Sequence, residues 1–157
     1  MRAPRFPRHV RIAPGACVTP RPDMAVERFC LALQAVEARQ WPRAGALAED
    51  VIRLAPNIAG PYYVAGIAAL QLGHVDHAVA RLSRASALAP ARGDYAAQYA
   101  RALAVQGDLP RAVEAARRAL SDRTLDAGAL DTTGIVLGRV KNAWFEEVWL
   151  NGVLIQT

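Results

Sequence analysis

The chain has 157 residues, of which 53% are hydrophobic, 6% aromatic and 21% charged. That is one domain's worth of polypeptide, enough to bury a core and too short for a two-domain enzyme; its 11 glycines and 10 prolines exclude a collagen-like or wholly disordered chain. The net charge of +5 lies mostly at the N-terminal end, where Arg2, Arg5, Arg8, Arg11 and Arg21 face Asp23 alone, so the body is close to neutral and no nucleic-acid partner is expected.

Residues 1–23 also hold half of all the prolines, each of which removes a backbone donor. A disordered basic tail is predicted there. Its apolar stretch is broken at Arg11 and Pro14, too soon for a secretory signal, and the prolines forbid the amphipathic helix of a transit peptide. Met24 is read as opening the folded part. With no run of about 18 apolar residues, no membrane partner is expected and a cytoplasmic location follows. Cys17 and Cys30 are read as reduced thiols, one in the tail and one on a helix.

From Met24 onward the sequence repeats. Arg53-Leu54-Ala55-Pro56 returns as Ala87-Leu88-Ala89-Pro90, which sets the interval as that from Pro56 to Pro90. The same interval aligns Ala44, Ala78 and Ala112, then Ala32, Gly66, Ala100 and Gly134, and also Gly73 with Gly107. Within residues 59–92 the apolar positions Tyr62, Ala65 and Ala69, then Ala78, Leu82 and Ala85, recur at three- and four-residue steps. Two amphipathic helices are predicted. Gly73 and Gly107 supply the left-handed residue that ends a helix. Asp108 caps the helix that follows, and Pro42 and Pro110 sit in first turns where a missing N–H costs nothing. The small residues of the aligned set are expected to face one another at the helix contacts, Gly134 among them.

The second unit reads Tyr62-x-x-Ala65-Gly66-x-x-Ala69, then Ala78-x-x-x-Leu82, then Pro90, and so resembles a tetratricopeptide repeat, whose period is about 34 residues. The first unit has Arg28 where the leading aromatic belongs, and the third ends on Thr124 where Pro should stand. The resemblance covers residues 24–140 as units 25–58, 59–92, 93–126 and a partial 127–140, about three and a half repeats. It implies an all-α fold, a right-handed α-solenoid of antiparallel helix hairpins. Residues 141–157 depart from the pattern. Trp144, Phe145, Val148 and Trp149 are read as an aromatic capping segment, with self-association through Trp144 and Trp149, as a weak homo-oligomer, the alternative.

No constellation for chemistry emerges. Ser83, Ser86 and Ser121 lie in or at the end of second helices, without a strained turn or a base beside them. Gly134 to Gly138 lacks the lysine of a phosphate loop and reads as close packing. His74, Asp76 and His77 are too few for zinc. The adjacent acids Glu49-Asp50 and Glu146-Glu147 diverge around a helix and read as surface charge. No catalytic residue, metal or cofactor is expected.

The resemblance further implies that the first helices of successive units line a concave groove for a peptide or a partner helix. By register its candidates are Phe29, Leu33, Val36, Tyr63, Ile67, Leu70, Asp94, Ala97, Arg101, Asp131, Ile135 and Arg139. The groove is apolar at one end and charged at the other, suited to an aliphatic or aromatic anchor near Tyr63 and a carboxylate near Arg101. The clamp with which some family members hold a chaperone's C-terminal carboxylate is absent, since Phe29, Leu33 and Val64 stand at its positions. The expected function is a non-catalytic protein-interaction module. The alternatives are the N-terminal repeat portion of a larger enzyme, such as a bacterial transferase, and a self-associating structural protein.

Overall fold

A computed structural model describes the backbone of residues 22–155 and the side chains of residues 23–143. The predicted tail up to Arg21, Cys17 with it, and the side chains of Trp144, Phe145, Glu146, Glu147, Val148 and Trp149 lie outside the described residues; Pro22 and Asp23, expected in the tail, instead open the first helix, where a proline in the first turn costs no hydrogen bond. Within them the chain forms α1 (Pro22–Glu37), α2 (Trp41–Leu54), α3 (Ala59–Gln71), α4 (Val75–Leu88), α5 (Gly93–Gln106), α6 (Leu109–Leu120) and α7 (Ala127–Ile155). Each odd-numbered helix up to α5 folds back against the next to make a hairpin, and α7 packs on both α5 and α6.

The turns inside the hairpins give the repeat its physical basis. Arg39, Gly73 and Gly107, spaced by the Pro56-to-Pro90 interval, all take positive φ, at 54°, 80° and 95°. The residues that follow, Gln40, His74 and Asp108, share nearly one conformation, with φ of −84°, −84° and −82°. Gly73 and Gly107 adopt the left-handed turn without a steric penalty; Arg39 adopts it despite its Cβ. Asp108 accepts a hydrogen bond from the Arg111 N–H at 3.3 Å, as a helix cap does. Between units, Ala55 and Ala89 end their helices before Pro56 and Pro90, since a residue preceding proline is pushed out of the helical region. Where the third proline is missing, the Asp122 carboxylate organises the turn. It accepts the Thr124 N–H at 2.9 Å, the Thr124 hydroxyl at 2.6 Å and the Gly93 N–H at 2.9 Å.

The small residues predicted at the contacts are sealed in all three hairpins: Ala32 with Ala44, Gly66 with Ala78, Ala100 with Ala112. A Cβ at Gly66 would lie 2.5 Å from Leu82 Cγ, so this glycine is required by close approach. Gly134 is a correction. Although it stands in the same register, it is exposed and a Cβ there would meet nothing within 4 Å among the described residues; the same holds for Gly138. The cause lies further along the same helix. Lys141 occupies the place of Arg39, Gly73 and Gly107 but stays helical, so α7 runs on to Ile155 and no described helix folds back over it.

Side chains also stitch the units in serial order. Tyr62 Oη donates to the Pro56 carbonyl at 2.9 Å. Arg28, its equivalent in the first unit, instead pairs with Asp50 at 2.8 Å. Asp50 also pairs with Arg53, while its neighbour Glu49 reaches the other way, taking Arg81 Nε at 2.7 Å and Nη2 at 2.8 Å with His77 Nε2 at 3.1 Å. The expectation of plain surface charge at Glu49-Asp50 is therefore corrected: because the two acids diverge around α2, one holds α1 and the other holds α4. Gln106 Nε2 donates to Asp76 at 2.8 Å one unit further along.

Candidate functional site: the face of the first helices

The first helices α1, α3, α5 and α7 touch in sequence. The Phe29 ring lies over Gly60 of α3, leaving 2.8 Å to a Cβ built there. Tyr63 of α3 stacks on Tyr95 of α5 with ring centroids 4.3 Å apart, an arrangement aromatic pairs favour. Arg92 lies over the Tyr95 ring, 4.6 Å from its centroid, and its fork binds Asp94 through Nε at 2.9 Å and Nη2 at 2.7 Å. That fork holds the Asp94 carboxyl below its usual range. Burial, with the charge of Asp94 adding to it, pushes the Tyr63 phenol up to about 12. Tyr63 is thus a positioned wall of the groove, its face spent on Tyr95.

Two concavities involve α5 and α7. One, of about 320 Å³, sits at the N-terminal ends of α5 and α7 and is lined by Arg92, Asp94, Asp122, Thr124, Leu125 and Asp126 among others. Its acids are already engaged: Asp94 by Arg92, Asp122 by Thr124 and Gly93, and Asp126 by the Ala129 N–H at 2.7 Å. The larger, about 480 Å³, lies between α5 and α7. Arg101, Asp131, Ile135 and Arg139, all candidates by register, line it together. Ile135 is 58% exposed on its wall. None of the three charged residues enters an ion pair among the described residues.

The other candidates divide. Leu33 is exposed, and Phe29, Val36, Ile67 and Leu70 are half-buried along α1 and α3. Asp94 lines the smaller cavity, apart from Arg101. Ala97 is a correction: it is fully buried with Ala96, Ala119 and Ala129, because the first turn of α7 closes over it. Sequence reasoning missed Arg92, which organises the tyrosine stack, and Ala104, Val105, Thr132 and Val136, which complete the larger cavity. Ala104 and Val105 were accessible from spacing, since residues three and four beyond Arg101 share its helix face.

No family model matches the chain, and no curated protein matches it in sequence. Solved structures do match it in shape. The TPR domain of Arabidopsis OM64 covers 77% of this chain and 97% of its own, with a TM-score of 0.68 at 16% identity. The TPR2B domain of yeast Sti1, in complex with pHsp70, covers 77% of this chain and 98% of its own, with a TM-score of 0.70 at 17% identity. An O-GlcNAc transferase from Thermobaculum terrenum matches over 73% of this chain but only 22% of its own length, with a TM-score of 0.67 at 20% identity. These likenesses define the class: the chain has the tetratricopeptide-repeat fold, an α-solenoid of three complete hairpins and, among the described residues, the first helix of a fourth.

Proposed function

We propose that the protein is a non-catalytic interaction module, cytoplasmic, that holds a segment of a protein partner on the face formed by α1, α3, α5 and α7. The observation that carries this reading is the cavity between α5 and α7, where Arg101, Asp131 and Arg139 lie unpaired among the described side chains beside exposed Ile135. Ionised groups kept close to apolar surface without partners of their own are suited to orienting a ligand. The yeast Sti1 domain of the same fold, solved in complex with pHsp70, is consistent with it.

The test compares partners retained by the wild type and by Arg101→Glu/Ile135→Glu, using affinity purification with mass spectrometry. Both positions are exposed, so helical circular dichroism should be unchanged. The double variant is expected to lose one or more partners that the wild type keeps. An identical retained set would remove this face from consideration.

A further inference from the structure

Across the repeat interval, Leu130, Gly134 and Leu137 of α7 answer to Tyr62, Gly66 and Ala69 of α3 and to Ala96, Ala100 and Leu103 of α5. In the complete units all six counterparts are buried, and second helices supply cover: Leu82 of α4 lies on Gly66, and Leu103 clusters with Ala112, Ala115 and Ala116 of α6. On α7, Leu130 is 48% exposed, Gly134 is exposed and Leu137 half-buried. Among the described residues, the seat of a fourth second helix stands open.

The opposite end of the array limits what can fill it. The later first helices turn Pro61, Tyr95 and Ala129, and likewise Ala68, Ala102 and Val136, into the preceding unit, and all are buried. Their counterparts on α1 are Glu27 and Gln34, both exposed. Copies stacked end to end would take this charge and this amide out of water, which is costly unless each finds a partner. The α1 end is thus a polar cap, as terminal repeats require, and the apolar opening belongs to α7.

The chain itself carries a helix of the right kind. α7 has 29 residues where α1 has 16 and α6 has 12, and it runs on to Ile155 past Lys141, the turn position. Along it Gly134, Gly138, Lys141, Phe145, Val148 and Gly152 follow one another in alternating steps of four and three residues, the spacing of a helix-pairing seam. Lys141 precedes Glu146 and Glu147, so an antiparallel pair sets base beside acid and a parallel pair sets like beside like. Antiparallel is also the sense in which every hairpin of this array is built.

We propose that the open face of α7 is an interface for a second copy of this chain: two α7 helices pair antiparallel about a two-fold axis between Lys141 and Phe145, each occupying the other's vacant second-helix seat. The seam positions then meet as Lys141 with Phe145, Gly138 with Val148 and Gly134 with Gly152, the glycines giving the room for close approach. The arrangement is closed, so association stops at two. It follows mass action, and a dilute solution holds the open monomer described above.

Sedimentation equilibrium of the 157-residue chain tests this. The apparent mass is expected to rise from one chain toward two, and no further, between about 1 µM and about 500 µM. Gly134→Glu and Leu130→Glu, both at exposed helix positions, are expected to keep their helical circular dichroism and stay at one chain mass, while Ile58→Glu, exposed in the turn between α2 and α3, still pairs. A constant monomer mass, growth beyond two chains, or pairing unaffected by both α7 substitutions overturns the proposal. Direction is read by a short bismaleimide on a Cys17→Ser/Cys30→Ser background. A mixture of Gly134→Cys and Gly152→Cys chains is expected to cross-link, and Gly134→Cys alone is not, because its two copies would stand about 27 Å apart along the pair. Efficient cross-linking of Gly134→Cys to itself overturns the antiparallel pairing.

Discussion

The hairpins of α1 to α6 and the single helix α7 carry the same register but meet different surroundings. In the hairpins the small residue at the contact is covered, and Leu82 fills the space that Gly66 leaves. On α7 the equivalent Gly134 faces nothing within 4 Å among the described residues. In a repeat array, then, a residue shares the environment of its counterpart in the next unit only if the chain also turns back. One turn position, Arg39, Gly73, Gly107 or Lys141, decides between a closed hairpin and an open helix.

The largest expected effect lies in the closed part. Leu82 is fully buried, so Leu82→Ala should cost about 2–5 kcal/mol in urea denaturation. Leu130, 48% exposed near the start of α7, should cost less than about 1 kcal/mol on the same change. Equal losses would mean that α7 is covered as the hairpins are. A smaller effect distinguishes the tyrosine stack. Because the Tyr63 phenol is pushed from 10.0 up to about 12, its contribution to stability is complete below pH 10 and is lost as the pH rises toward about 12. Stability measured across that range should fall, and Tyr63→Phe should make the fall shallower. A slope unchanged by Tyr63→Phe would mean that the phenol is not held by this environment.

Much of the architecture was legible in the sequence because the Pro56-to-Pro90 interval, Gly73, Gly107 and Asp108 are local signals. Arg39 gave none, since a non-glycine residue at positive φ is specified by the turn around it rather than by its own preference. The extension of α7 past Lys141 was hidden for a related reason: a missing turn residue leaves no positive mark. In the site, Arg101, Asp131, Ile135 and Arg139 could be placed on one face from register alone, and the cavity gathers them. The Arg92 contact with Tyr95 could not be read, because it joins an inter-unit turn to a helix face through side-chain geometry. Ala97 was misplaced because burial there is set by α7, whose path the register did not determine.

Three hairpins close over their own contact residues, and among the described residues the first helix of the fourth unit does not. Parallel urea denaturation of Gly66→Ala and Gly134→Ala tests it directly, because the helix propensity gained, up to about 1 kcal/mol, is common to both and cancels in the comparison. Gly134→Ala is expected to be at least as stable as the wild type, and Gly66→Ala to fall below Gly134→Ala by about 1–3 kcal/mol, the cost of forcing a methyl group against Leu82. Indistinguishable stabilities, or a Gly134→Ala variant as weakened as Gly66→Ala, would contradict it.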